Sequence, residues 1–229
     1  CMTIRCFENK LLNLFSENVI NGTTHTCLGQ EINAIGVCST LKKDDIVVSN
    51  HRSHGHFIAH CKDTKSLMKE ILGKDNSISA GVGGSQQLNY KKKFYSHGVL
   101  GGTIALAAGL ALSLKKDNSK NIVACFIGDG TFGEGIVYET LNISSLLKLP
   151  LLIIVENNKI AQSTRLNDNL SGTISKRFDS FKIENCSINN YDIDKLIKAS
   201  SEFRSRIVKD KTVRTIIIDS VRLGPHSKG

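Results

Sequence analysis

Short apolar runs rich in branched side chains recur at residues 46–48, 122–127, 151–155 and 213–218, and the material between them carries apolar positions every third or fourth residue. The first pattern predicts buried strands and the second predicts helices. Helices are expected over residues 4–19, 31–41, 64–72, 102–115, 133–147 and 192–208. Strands alternating with helices predict a mostly parallel sheet covered on both faces, an α/β doubly wound fold. No internal repeat or low-complexity tail interrupts the alternation, and the only prolines, Pro150 and Pro225, mark no linker, so residues 1–229 are read as one domain. The Asn- and Lys-rich stretches 117–121 and 185–190 are expected to be surface turns.

Composition narrows the partners. Lys plus Arg (30) against Asp plus Glu (21) leaves +9, but the basic residues run from Arg5 to Lys228 without clustering and aromatics are only 6%, so no nucleic-acid partner is expected. The longest uncharged stretch, residues 99–114, is broken by Gly101, Gly102 and Gly109 and is short for a membrane span. Seven cysteines with no C-x-x-C pair frame neither disulfides nor a thiolate zinc site, which points to a reducing, cytoplasmic compartment. The opening CMTIRCFENK has no apolar signal core. Its Cys1 start is compatible with a trimmed transit segment, which would place the protein in a mitochondrial matrix or plastid.

The chemistry gathers at two strand ends. The strand over 122–127 runs into Gly128-Asp129-Gly130, and after 26 further residues the strand over 151–155 ends in Glu156-Asn157-Asn158. In open parallel sheets, ligands bind at the carboxyl ends of strands. One helix and one strand fit between the motifs, so a right-handed crossover brings both ends to the same edge. There, the Asp129 carboxylate and an Asn oxygen are hard donors that can face a diphosphate across a small divalent cation such as magnesium. The glycines allow close approach to the backbone, and the first turn of the next helix offers N–H groups to an anion.

GDG followed by 26 residues and NN resembles the thiamine-diphosphate-binding motif. The stretch GDGTFGEGIVYETLNISSLLKLPLLIIVENNKIAQST resembles the alpha subunits of 2-oxoacid dehydrogenase first components, the family acting on pyruvate-like 2-oxoacids or acetoin. NGTTHTCLGQE, NHRSHGHFIAH, GVGGSQQLNYKKKFYSHGVLGG and VRLGPHSKG resemble further alpha-subunit blocks in the same order, covering nearly the whole chain. The resemblance implies the thiamine-diphosphate-binding fold, with magnesium held by Asp129, Asn158 and the carbonyl of Ile160. It implies cofactor contacts from Arg52, from the backbone of Gly98 and Leu100, and from the turn residues Gly128, Gly130 and Thr131. His51 stands where the family often has a tyrosine, and an imidazole donor can replace the phenol. His25 and His226 fall on the family's active-site histidines. A beta subunit would supply the glutamate that activates the cofactor, in an alpha-two-beta-two assembly that passes the acyl group to the lipoyl domain of an acyltransferase.

Other roles compete for some of these residues. His51, His54, His56, His60 and Cys61 invite a zinc site, but the resemblance makes this segment the loop entering the diphosphate site. Lysines 91–93 read as a solvated loop, and Cys27 and Cys125 as small core residues. Glu134 is either a general base or a charge favoured at a helix start, and the helix-start role is preferred. Ser227 follows His226 where regulated relatives carry a phosphoserine, and an ordinary loop serine is the preferred reading. Two rival functions remain: half of a split transketolase, which shares GDG followed by Glu134-Gly135, and a non-catalytic alpha-like subunit. The second is favoured by Val82 in place of a common arginine and by the stop after His226-Ser227.

Overall fold

A computed structural model describes residues 1–20 and 22–228. The chain runs through α1 (Met2–Ser16), α2 (Glu31–Cys38), β1 (Ile46–Ser49), α3 (His54–Cys61), α4 (Thr64–Ile71), β2 (Asn89–Tyr90), β3 (Phe94–Ser96) and α5 (Leu100–Lys116). It continues with β4 (Val123–Gly128), a 3-10 turn (Asp129–Gly133), α6 (Gly135–Leu146), β5 (Leu151–Asn157), β6 (Ile160–Ala161), β7 (Thr164–Arg165), α7 (Leu166–Asn169) and α8 (Ile174–Ser180). The last elements are β8 (Glu184–Asn189), α9 (Ile193–Asp210) and β9 (Arg214–Asp219).

The main sheet has seven strands in the order β2-β3-β1-β4-β5-β9-β8, and only β2 runs antiparallel to its neighbour. Central parallel strands are covered on both faces, which explains why β4 and β5 are apolar without alternation. Their side chains divide strictly by parity. Ala124, Phe126, Leu152 and Ile154 join the core beneath α1, α2, α3 and α9, while Val123, Cys125, Ile127, Leu151, Ile153 and Val155 join the core beneath α5, α6 and α8. The doubly wound arrangement expected from the sequence is therefore present. Cys27 and Cys125 are both buried, as expected of small core residues.

Three local expectations need correction. Residues 185–190 are not a surface turn: Glu184–Asn189 form edge strand β8, parallel to β9, because Ile188 reaches the core even though its strand neighbours are polar. His54–Cys61 is a helix rather than a loop, because its apolar Phe57 and Ile58 are buried in the core, Phe57 packing edge-on to Tyr90 and Phe94. Helix α6 begins at Gly135 and not at residue 133, because Asp129–Gly133 first makes a tight 3-10 turn. Lysines 91–93 occupy the solvated turn between β2 and β3, with Lys91 and Lys92 at positive φ.

Candidate active site

Strands β4 and β5 lie side by side in parallel register, from Val123 opposite Leu151 to Gly128 opposite Glu156. Asp129 and Asn158 therefore leave the sheet at one edge, and both line a cavity of about 420 Å3. His25, His51, Arg52, Gly98, Leu100, Gly128, Gly130, Thr131, Ile160 and His226 line the same cavity. The structure thus brings together every residue that the family resemblance assigned to the cofactor, the cation or the active-site histidines, and leaves Glu134, Ser227, His54, His56, His60 and Cys61 outside the cavity lining.

Asp129 is buried and its Oδ2 meets no partner. Burial pushes its carboxyl above the ordinary value, and the N–H groups of Gly130 and Lys159 with the Arg222 charge pull less strongly downward. The two asparagines divide their work. Asn157 donates to Asp219 Oδ1 at 2.6 Å and ties β5 to the end of β9, whereas Asn158 Oδ1 accepts from the Ile160 N–H at 3.2 Å and stays at the cavity. Gly130 faces Ala161 so closely that a Cβ there would stand 2.5 Å from the Ala161 Cβ.

The histidines arrive from three distant segments. Thr24 pairs its main chain with Lys228 in both directions at 2.9 Å, which lays the terminal segment beside His25. Arg52 donates to the carbonyls of Thr26 and, at 3.1 Å, of His226, binding both histidine-bearing segments to the loop after β1. The His25 ring centroid lies 4.6 Å from that of His51 and 4.9 Å from that of His226. Burial, followed by the charge of His226 and Arg52, pushes His25 down to about 4. Burial likewise lowers His51, most strongly, and His226, in each case reinforced by Arg52 and Arg222. Burial and the neighbouring guanidiniums thus disfavour the charged form of all three imidazoles.

Two buried carboxylates support this edge without a local sequence signal beyond their type. Glu156 accepts from Asn33 at 3.0 Å and Asn50 at 3.2 Å, and His56 Nε2 stands 3.3 Å from it. Asn50 in turn accepts from the Arg52 N–H at 2.8 Å, so Glu156 orients the loop that carries His51 and Arg52. Glu8, on α1, accepts from the Cys27 N–H at 2.9 Å and faces His54 Nδ1 at 3.1 Å, while His54 Nε2 lies 2.9 Å from Ser85 Oγ. These pairings disperse the histidine cluster that had suggested zinc, since His60 bonds the Asp45 carbonyl at 3.1 Å. Of that group, only His51 lines the cavity.

Glu134 does sit at a helix start, but it serves a different helix from its own: Oε1 accepts from the Gly101 N–H in the first turn of α5 at 3.0 Å. Arg222 is a cavity residue that nothing local marks, lying within reach of the Gly224 carbonyl at 3.2 Å and His226 Nδ1 at 3.4 Å. Its only signal was membership of the VRLGPHSKG block. Ser227 is half-buried beside His226, and Gly229, the second glycine of that segment, lies outside the described residues.

A mostly parallel sheet with an acidic GDG turn and an NN turn at adjoining strand ends defines an α/β protein of the thiamine-diphosphate-binding fold. The chain belongs to the dehydrogenase E1 component family, whose model matches residues 1–229. It is 34% identical over 204 residues to the alpha subunit of acetoin:2,6-dichlorophenolindophenol oxidoreductase from Bacillus subtilis (strain 168), covering 88% of this chain and 61% of that protein. It is also 34% identical over 204 residues to the pyruvate dehydrogenase E1 component subunit alpha of Rhizobium meliloti (strain 1021), covering 88% and 58%. The corresponding subunit of Rickettsia bellii (strain RML369-C) is 32% identical, with 99% of this chain and 70% of that protein covered. The chain thus spans less than two thirds of the length of the first two relatives. Among the described residues, no helix is long and apolar enough to cross a membrane.

Proposed function

We propose that this chain is the alpha subunit of a thiamine-diphosphate-dependent dehydrogenase that cleaves a small 2-oxoacid or acetoin and passes the acyl group to a lipoyl carrier. The observation that carries this reading is the meeting of Asp129 and Asn158 at adjacent strand ends in one cavity, with His25, His51 and His226 around it. The donor set fits a magnesium-bridged diphosphate. An orphaned buried carboxylate oxygen, a carboxamide oxygen and a nearby main-chain carbonyl are hard ligands, and the ion relieves the charge that burial strains on Asp129. Asp129, Asn158 and the Ile160 carbonyl hold the cation in this reading, and Gly98 and Leu100 meet the cofactor's ring.

Thiamine diphosphate, when bound, supplies the carbanion-stabilising chemistry. The chain binds, orients and moves protons. His25 and His226 gain protons more readily once an anion sits beside them, which poises them to donate to a substrate carboxylate or a lipoyl sulfur. The family's beta subunit, in an alpha-two-beta-two assembly, completes the site by contributing the activating glutamate.

Calorimetry tests the cofactor site. Thiamine diphosphate is expected to bind the partnered protein only with a hard divalent ion present, and Asp129→Ala is expected to abolish that binding. Tight binding that survives both chelation and Asp129→Ala overturns the assignment. With an artificial electron acceptor, the purified chain alone is expected to be inactive and to turn over 2-oxoacid only after the beta subunit is added.

A further inference from the structure

We propose that Glu70 is a positioning residue for the cofactor cavity, its one carboxylate gathering the loop between α4 and β2 so that Gln86 lies against Gly98. This role rests on the function proposed above and adds to it a residue outside the cavity. Residues 72–88 join the two elements with no helix or strand of their own. Connections longer than about 12–15 residues in a compact domain are usually functional when they are ordered.

Glu70 is fully buried near the end of α4. Its Oε2 accepts from the Ser77 hydroxyl at 2.6 Å, the Ser79 N–H at 2.6 Å and the Gly81 N–H at 3.2 Å, and its Oε1 accepts from the Gly83 N–H at 2.8 Å. Main-chain N–H groups at alternate positions thus converge on one anion, in a concavity that Ala80 and Gly81 make by adopting positive φ. Burial pushes the carboxyl up, but the Ser77 hydroxyl and these N–H groups outweigh it and hold the group below its ordinary 4.5. A buried charge is costly unless it is hydrogen-bonded, so the loop cannot open without stranding the anion.

The gathered turn reaches the cavity through Ser79 and Gln86. Ser79 Oγ donates to the Gln87 carbonyl at 3.2 Å and accepts from the Asn89 N–H at 3.3 Å, while the Gln87 N–H returns to the Gly83 carbonyl at 3.1 Å. The Gln86 side chain lies so near Gly98 that a Cβ there would stand 2.9 Å from Gln86 Oε1, and both residues line the cavity. Gly98 is assigned to the cofactor's ring, so the Gln86 carboxamide backs the surface on which the ring is held. His54 Nε2 lies 2.9 Å from Ser85 Oγ, and the Ser96 hydroxyl donates to the Gln86 carbonyl at 2.7 Å. These two contacts keep the main chain beside Gln86 in place, so losing Glu70 loosens the turn without releasing the whole segment.

Calorimetry on the full chain paired with its beta subunit tests this role, with thiamine diphosphate and magnesium as the probe. Glu70→Ala and Gln86→Ala are each expected to weaken binding at least about tenfold, the size of loss that follows removal of a group supporting a binding residue. The double variant is expected to bind no more weakly than the weaker single one, because both changes break one chain of contacts. Acetate is expected to restore part of the affinity of Glu70→Ala by seating among the vacated N–H groups, and chloride at equal ionic strength is expected to restore none. If Glu70→Ala fails to fold, as read by circular dichroism, Glu70→Gln, which keeps the length and one acceptor oxygen, replaces it in the double-variant comparison. Natural affinity in the Glu70 variant, losses that add in the double variant, or equal effects of acetate and chloride each overturn the positioning role alone. Absence of cofactor binding by the natural complex overturns the cofactor reading and this proposal with it.

Discussion

The Glu134 carboxylate accepts a hydrogen bond from the Gly101 N–H at 3.0 Å, so the residue that opens α6 holds the amino end of α5. Residues Gly98 and Leu100 precede that contact on the cavity wall, and the GDG turn leads into Glu134 from the other side. One side chain thus couples the two backbone segments expected to flank the cofactor. An ordinary helix-start preference explains its chemistry, since an anion is favoured at the N–H end of a helix.

Gly101→Ala should therefore damage the protein. A Cβ at this position would strike Glu134 Oε2 and come within 2.7 Å of Ile136 Cγ2. Urea unfolding is expected to record a loss of about 1–3 kcal/mol, the usual cost of overpacking. Gly109→Ala, on the same helix with nothing within 4 Å of its Cβ, is expected to gain roughly 0.5–1 kcal/mol from helix propensity. Equal effects at both positions would disprove the contact's importance.

Asp129→Asn should stabilise the metal-free protein at neutral pH while removing the ion. Burial raises the Asp129 carboxyl, so the native state holds its proton to higher pH than the unfolded chain does. Native stability from this group is present below the ordinary carboxylate value and is lost as pH rises through the raised one. The asparagine removes that loss, and thermal melts without metal should show a higher midpoint for the variant at neutral pH, with the difference shrinking as the medium is acidified toward the ordinary carboxylate range. Magnesium should raise the midpoint of the natural protein only.

Glu156→Gln should be costly. Burial pushes Glu156 up, but His56 and the carboxamides of Asn33 and Asn50 outweigh it and hold the group below its ordinary 4.5. Removing one member of a buried pair typically costs about 3–5 kcal/mol. A depressed carboxyl contributes stability above its unfolded value, and that contribution disappears as pH falls through the native value. The gap between the natural protein and the variant, measured by denaturant titration, should accordingly narrow below pH 4.5.

The His25 ring should titrate in nuclear magnetic resonance with a midpoint near 4, because burial and the nearby His226 and Arg52 charges oppose its proton. Between 6.5 and about 4 the unfolded chain binds a proton that the native state refuses, so stability falls as the medium is acidified through that window. His25→Asn should flatten this part of the profile. A midpoint at 6.5 would show that the imidazole is solvated rather than enclosed.

Much of the layout was legible in the chain because it is written in local periodicity. The runs at 122–127 and 151–155 could be strands only if buried on both faces, and the 26 residues between GDG and NN measured one helix and one strand. Parallel pairing then had to place Asp129 and Asn158 together. Strand β8 escaped notice because ENCSIN at a sheet edge lacks the apolar run of a central strand and is held by backbone pairing to β9. Helix α3 was obscured by its histidines, whose partners Glu8, Glu156 and Asp45 lie on other elements.

By itself, the sequence determined the alternation of strands and helices, the acidic turn and its asparagine counterpart, and the family blocks that carry His25, Arg52 and His226. Only the tertiary structure decided that Arg52 would bind the Thr26 and His226 carbonyls, that Glu134 would serve α5, and that three imidazoles would face one another. Periodicity records which face of an element meets the core, within a few residues along the chain. The separation of 174 residues between Arg52 and His226 is closed by the order of strands in the sheet and by the pairing of Thr24 with Lys228, and no local pattern encodes either.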